Sequence, residues 1–265
     1  MKPVLLHQLR DRPLPFFPKL EDRDYVNSVC DKLIASLENG GKHDRQLAQK
    51  LKKCIRDRAQ GKPGCKSAAC PVCRHDFRCW LIAEGSRLVA DFLSKAPPDA
   101  KLYRATVIPD LGTIKPGDLV KSVPLVETEL RRLSAYLRNK GPIAQGVMLI
   151  GVDVSWNLDD REDIDPRWQV HFEIVFAGID PERLRKALKQ RYPRTKTIFR
   201  PVQIKQVKDL SDLPGVIGYG CKLQHHARSR YVDRNGQART SKQGLKAKQT
   251  RELSRFLDRF GLDRH

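Results

Sequence analysis

Two groups of residues in this chain have the types and spacings to do chemistry. The first is the run GCKSAACPVC at 64–73. Cys65, Cys70, Cys73 and Cys79 are separated by four, two and five residues, with Cys54 and His75 nearby. A C-x-x-C places two thiolates on one tight turn, as tetrahedral zinc requires, and Pro71 favours that turn. Lys66, Arg74 and Arg78 offset the negative charge of a thiolate-rich site. The surrounding Gly/Pro/Lys loop offers little core in which cysteines could pack as small hydrophobes. The expected ligands of a structural Zn2+ are four of Cys54, Cys65, Cys70, Cys73 and Cys79, with His75 a further candidate for the fourth position. Four protein ligands leave no open coordination site, so the role is structural.

The second group lies on WQVHFEIVF at 168–176. Side chains alternate along a strand. Trp168, Val170, Phe172, Ile174 and Phe176 therefore share an apolar face and belong to the core. Gln169, His171, Glu173 and Val175 share the other. Asp153, in the preceding segment GVMLIGVDVSW, is flanked by apolar neighbours. If 146–156 and 168–176 pair as a hairpin, Asp153 comes near His171 and Glu173. One imidazole and two carboxylates suit Mg2+ or Mn2+ better than zinc. Alternation on a half-solvated sheet gives the same polar pattern without a metal, so this strand is not diagnostic alone.

The elements that must position these groups follow from periodicity. Residues 1–20 are Pro-rich and irregular. Helices are expected at 21–38, with Tyr25, Cys30, Leu33 and Leu37 inward, at 43–58 and at 77–94. The segment 61–73 reads as a loop and APPD at 96–99 as a domain boundary. Beyond it come a strand at 102–109, a helix at 124–141 and a strand at 146–156. An acidic turn leads to the strand at 168–176. A helix at 180–192 and a strand at 197–207 follow. The run 213–226 is ambiguous, and 244–260 sets Leu245, Leu253, Phe256, Leu257 and Phe260 on one helical face. The order strand–helix–strand–strand–helix–strand predicts an α+β, ferredoxin-like (RRM-like) antiparallel sheet. The expected organisation is a helical zinc-binding region at 1–98, a sheet domain at 99–226 and a basic C-terminal tail and helix at 227–265.

Composition points to the partner. The 265 residues carry 51 Lys+Arg against 31 Asp+Glu, a formal charge of +20. So large an excess opposes compaction unless a polyanion binds. Nucleic acid is the expected one, because no segment joins a basic face to a large apolar one as a membrane surface requires. From Lys222 onward there are 12 Lys+Arg and 4 Asp+Glu, and 225–243 reads as a mobile phosphate-binding segment. The N-terminal apolar run is short and broken by charges and prolines, unlike a secretory signal. No stretch approaches the ~20 apolar residues of a membrane span. A soluble cytoplasmic protein without membrane contact is expected. Clustered cysteines in that compartment read as metal ligands.

Three motifs in order resemble the rolling-circle replication initiators of the HUH endonuclease superfamily. TVIP at 106–109 resembles that family's first motif, a strand ending in Thr-x-x-Pro. The strand at 168–176 resembles its His-hydrophobic-His motif, with His171 at the first metal position. IGYGCKL at 217–223 resembles its nucleophile motif, Tyr-x-x-Lys, through Tyr219 and Lys222. The upstream CPxC element resembles one that precedes the nuclease domain in some plasmid and phage initiators. The chain departs from the pattern at Glu173, where a second His is usual, and at Gly218 and Gly220, which weaken a helix. There is no second Tyr a turn away.

The resemblance implies a metal-dependent DNA-nicking endonuclease that initiates rolling-circle replication of a plasmid, phage or mobile element. Tyr219 would be the nucleophile, activated by Lys222 on the same helical face. Mg2+ or Mn2+ at His171, Glu173 and Asp153 would act as Lewis acid. The product would be a 5′-phosphotyrosine link and a free 3′-OH. The implied partners are single-stranded or hairpin origin DNA and a host helicase. The alternative is a non-catalytic zinc-containing protein that binds DNA or RNA on the same sheet. A primase-like polymerase ranks last, since no Asp-x-Asp pair falls on an expected strand.

Overall fold

The computed structural model describes residues 22–97, 100–111, 114–140, 146–159, 165–232 and 237–262. The expected arm at 1–20, the acidic turn at 160–164 and part of the expected boundary at 96–99 lie outside the described residues.

Helix α1 (Arg23–Glu38) starts at Asp22, whose carboxylate accepts the Tyr25 N–H at 2.7 Å and so caps it. It buries Val26, Cys30, Ile34 and Leu37. Tyr25 is 37% exposed, so the inward face is rotated from the expected one. Val26, Cys30, Ile34 and Leu37 recur every three to four residues and form the continuous apolar row. Helix α2 (Lys42–Ala59) buries Leu47, Ala48, Leu51 and Cys54. Helix α3 (Pro71–Lys95) begins six residues before the expected 77. Pro71 stands at its first turn, where proline's fixed φ favours a helix and its missing N–H costs nothing. The second half of the C-x-x-C is thus helix rather than loop.

The chain continues as β1 (Leu102–Val107), α4 (Val123–Lys140), β2 (Val147–Asp159), β3 (Arg167–Ala177), α5 (Pro181–Arg191) and β4 (Val202–Val207). Then come α6 (Leu213–Gly218), a 3-10 turn at Tyr219–Cys221, β5 (His226–Val232), β6 (Ala238–Gly244) and α7 (Ala247–Phe260). The described strands form one mixed sheet in the order β4-β1-β3-β2-β5-β6. β1 is antiparallel to β3 and β4, β2 and β3 form an antiparallel hairpin, and β5 joins β2 in parallel.

The apolar face of β3 is core, with Trp168, Val170, Phe172, Ile174 and Phe176 at most 2% exposed. Leu133 and Leu137 of α4 and Leu184 and Leu188 of α5 belong to the same buried cluster. The opposite face is divided. At one end Val175 packs with Ile82 and Val89 of α3 and Leu213 and Ile217 of α6. At the other end the face opens, and there His171 and Glu173 lie.

The C-terminal helix is tied into the molecule. Leu253, Phe256 and Phe260 join the cluster that holds Leu37 and Leu51. Glu252, 3% exposed, accepts the backbone N–H groups of Gly117 and Leu119 at 2.8 and 3.0 Å. Asp44 in α2 accepts from Arg255 at 3.1 Å. Leu245, expected on the inward face, precedes α7 and is only partly buried.

Two expectations are corrected. Strand β4 starts at Val202 rather than 197, because Pro201 cannot donate to a ladder. Within the segment 225–243, expected to be a mobile run, the described residues form β5 and β6, which extend the sheet. HARSRYV alternates small and charged side chains, so Ala227 turns inward at 4% exposure while Arg228 faces a cleft. Read as a charge run, that period of two was hidden. No helix among the described residues is long and apolar enough to cross a membrane.

Candidate active site and candidate metal centre

The sulfurs of Cys54, Cys65, Cys70 and Cys73 lie within 4.8 Å of one another. Cys54–Cys73, Cys65–Cys73 and Cys54–Cys70 are separated by 3.4, 3.7 and 3.8 Å. A tetrahedral site with Zn–S bonds of about 2.3 Å has S···S edges of about 3.8 Å, so the donor set and its spacing fit such an ion. Helix α2 supplies Cys54, the loop supplies Cys65, and the start of α3 supplies Cys70 and Cys73. The loop bends through Lys66, whose φ of 55° is left-handed. Gly64 is required where it stands: a Cβ there would lie 2.6 Å from the Cys73 sulfur. The Cys65 N–H donates to the Cys54 sulfur at 3.2 Å. The bond from the Cys70 thiol is the main influence lowering Cys54 to about 7 and Cys65 to about 4. Bonds to Cys30 and the other three thiols push Cys70 far up. Four thiols so crowded can all ionise only around a cation.

Cys79 is not in this group. It lies on α3 beyond the first turn, its sulfur 3.6 Å from His75 Nε2. The fourth ligand position goes to Cys54, because the last turns of α2 meet the start of α3, where Arg58 also pairs with Asp76.

The second site lies on the open end of the sheet, in a cleft of about 350 Å3 lined by Thr106, Ile108, His171, Glu173, Tyr219 and Arg228, among others. Hairpin register puts Asp153 opposite His171 and Gly151 opposite Glu173. Thr106 is the cross-strand partner of Glu173 on the other side, and its hydroxyl donates to Glu173 Oε2 at 2.7 Å. Burial raises the Glu173 carboxyl to about 7, the Thr106 bond opposing and Asp153 reinforcing. Burial lowers His171 to about 4, with Asp153 opposing and Arg228 and Lys222 adding to the fall.

A chain of bonds sets the His171 tautomer. Asn157 donates to Gln169 at 2.7 Å, and Ser155 Oγ donates to Asn157 at 3.2 Å. The His171 Nε2, 3.1 Å from Ser155 Oγ, therefore donates to it. Nδ1 is left as the lone-pair nitrogen.

Asp153 does not complete a hard-metal triad. It is fully buried, and Lys222 Nζ lies 2.5 Å from its Oδ2. Its Oδ1 accepts the Val154 N–H at 2.8 Å and lies 3.4 Å from His225 Nδ1. Burial would raise this carboxyl, but His225, Lys222 and His171 outweigh it and hold the group well below the usual range. Among the described residues, the four cysteines are the only group of three or more such ligands that converge. The sequence pattern fixed the register of Asp153 but not the cation already waiting for it.

Tyr219 and Lys222 were expected on one helical face. Lys222 instead leaves the 3-10 turn in an extended conformation, φ −59° and ψ 145°. Its ammonium still lies 4.8 Å from the Tyr219 ring centroid, since a 3-10 turn eclipses i and i+3. Gly220 has a packing role here. A Cβ on it would come 3.2 Å from Gly151 Cα, so the turn that carries Tyr219 lies directly on β2.

Arg228, from the segment expected to bind phosphate, also lines the cleft, as do Arg104, Gln203 and Lys205, which were not anticipated. Their signal was the polar period of two in LYRATV and VQIKQV. Arg74, 6% exposed, was anticipated only as a counter-charge. Its Nε donates to Ala68 O at 2.6 Å, and its Nη1 lies 3.3 Å from Lys222 O and 3.0 Å from His225 Nε2. As arginine only donates, His225 Nε2 accepts and Nδ1 carries the hydrogen, 3.2 Å from Val154 O.

No family model, no curated protein and no solved structure matches the chain.

Proposed function

We propose that this protein is a single-strand DNA endonuclease that initiates rolling-circle replication of a plasmid, phage or mobile element through a tyrosine-linked intermediate. One observation carries the reading. Thr106, His171, Glu173 and Tyr219, from three separate motifs, line one cleft together with Arg104, Lys205 and Arg228. The strand order β4-β1-β3-β2 with helices after β1 and β3 supports a ferredoxin-like description of that part.

In this reading the basic side chains hold a DNA phosphate in the cleft. The Tyr219 hydroxyl attacks phosphorus, an O–P bond forms, and the bond to the 3′-oxygen breaks. The 5′ end stays on Tyr219, and the 3′-oxygen leaves as a hydroxyl after taking a proton. A divalent ion held by His171 Nδ1 and Glu173 would supply charge stabilisation at the phosphate. Two protein donors with phosphate and water suffice for Mg2+. Thr106 orients Glu173, and Ser155 fixes the His171 tautomer. The ion pair with Asp153 holds Lys222 against Tyr219. The four-cysteine site takes zinc and is structural.

A non-catalytic nucleic-acid-binding protein is the second reading. The observation favouring it is that Asp153 is spent on Lys222, leaving two hard-metal donors rather than three.

The deciding experiment incubates the protein with pooled labelled single-stranded oligonucleotides and Mn2+, followed by a denaturing gel. A covalent adduct lost in Tyr219→Phe and in His171→Ala is the expected result. Salt-sensitive binding without any adduct would establish the second reading instead.

A further inference from the structure

The cleft continues past Tyr219. A recess of about 70 Å3 shares Tyr219 and Arg228 with it. That recess in turn shares His226 and Lys242 with a groove of about 830 Å3 between α1, β6 and α7. The three hollows form one path from the β4–β1 side of the sheet, across β5 and β6, to the first helix.

Cations recur along the whole path. Arg104 and Lys205 stand at its start, Arg228 and Lys222 beside Tyr219, Lys242 at the crossing and Lys32 at the far end. Lys32 and Lys242 are exposed, and among the described residues neither is paired with a carboxylate. Tyr25 lines the same groove and is 37% exposed. Its hydroxyl accepts from the Gln224 side chain, two residues beyond Lys222. The ring is therefore held in place while more than a third of the residue stays exposed.

Spaced cations with a fixed, exposed aromatic ring are what a single nucleic-acid strand requires: charge for its backbone and a π-face for its bases. A peptide partner of acidic character would find the cations but have no use for a stacking ring.

We propose that this path is a continuous track for single-stranded DNA. Lys242 and Lys32 contact phosphates beyond the reactive centre, and Tyr25 stacks a base at its far end. The proposal rests on the nuclease reading above and deepens it, since it names the surface that grips the strand to one side of Tyr219.

The test is fluorescence anisotropy with the full chain and labelled oligothymidylates of about 6 and about 20 nucleotides, lengths that span one to several stacked sites. The variants are Lys242→Glu alone and the triple Tyr25→Ala/Lys32→Ala/Lys242→Ala, all at exposed positions. The triple variant should bind the longer strand about tenfold more weakly. Its salt dependence should fall by about 1.4 in log–log slope, about 0.7 for each lost phosphate contact. Lys242→Glu should weaken the longer strand in the same direction. Affinity for the short strand should fall much less. Wild-type binding of the longer strand with unchanged affinity and slope in the triple variant overturns the track and leaves the nuclease reading standing. An equal loss on a duplex of the same length overturns the single-strand assignment. Wild-type protein that binds neither oligonucleotide overturns the track together with the function it rests on.

Discussion

Lys222 Nζ lies 2.5 Å from Asp153 Oδ2, a carboxylate with no solvent exposure. The same ammonium stands over the Tyr219 ring. One buried ion pair thus joins the centre of β2 to the turn carrying the proposed nucleophile. A buried pair adds little over an apolar pair of equal volume, yet breaking it by removing one partner costs about 3–5 kcal/mol. Asp153→Asn should lose that much in denaturant unfolding, and Asp153→Leu/Lys222→Met should lose much less. The pH dependence has a definite sign. The folded Asp153 carboxyl is held below its ordinary value of 3.8. Its contribution is therefore complete above that value and is lost as pH falls through the folded one. The acid limb of the wild-type stability curve should flatten in Asp153→Asn.

The four-cysteine centre separates two cysteines that the sequence left equivalent. Cys54 is inside the sulfur group and Cys79 outside it. Metal analysis of the purified protein should find one zinc per chain. Cys54→Ser should abolish stoichiometric zinc, and Cys79→Ser should retain it. Because structural zinc contributes about 10–16 kcal/mol of apparent binding energy in small domains, a strong chelator should lower the melting temperature of wild type and Cys79→Ser. Equal zinc loss in both variants would falsify the assignment.

Much of this was legible because it depended on period. The apolar face of β3, the hairpin that brings Asp153 opposite His171, and the helices at 21–38, 43–58 and 180–192 all follow from spacing. Those features need no knowledge of what packs above them. The rest depended on tertiary partners. Asp153 looks the same in sequence whether it awaits a metal or a lysine; only the turn at Tyr219–Cys221 brings Lys222 to it. The glycines flanking Tyr219 looked like a weakness in a helix and are instead close approaches, Gly220 to Gly151 on β2 and Gly218 to Ile82 and Arg78 on α3. Arg228 and Lys242 looked like part of a mobile phosphate-binding run, because β5 pairs in parallel with β2 and leaves no local hairpin signal on that side.

Glu173 gives a pH-dependent stability of opposite sign to Asp153. Its folded carboxyl is raised to about 7 from 4.5, chiefly by burial. A raised carboxyl contributes stability below its ordinary value that is lost as pH rises through the folded one. Without divalent ions, the protein should therefore lose stability between about pH 5 and pH 8. Glu173→Gln, which cannot ionise, should not share that loss. Mn2+ should raise the melting temperature of wild type at pH 8 and have little effect on Glu173→Gln. A melting curve in chelexed buffer with and without Mn2+ reads both effects without any DNA.

Arg74 couples the two centres. Its neighbour Cys73 belongs to the sulfur group, and its guanidinium bonds Ala68 O within the cysteine loop. The same group reaches Lys222 O and His225 Nε2. Burial lowers its pKa to about 10, with Cys221, Cys70 and Asp153 opposing, so it remains a cation at neutral pH. A lysine there has one ammonium where arginine has a planar fork and cannot reach three acceptors in different directions. Arg74→Lys should therefore keep one zinc per chain while loosening the Lys222–His225 segment beneath Tyr219. Supporting residues around a reactive centre typically contribute 10–100-fold, so adduct formation should slow by at least about tenfold at unchanged DNA affinity. Rates restored at high pH would overturn this positional account. A uniform loss across the pH range is expected, since the defect is one of position. Loss of zinc in Arg74→Lys would instead make the arginine part of the metal site's own support, with no separate link to the cleft.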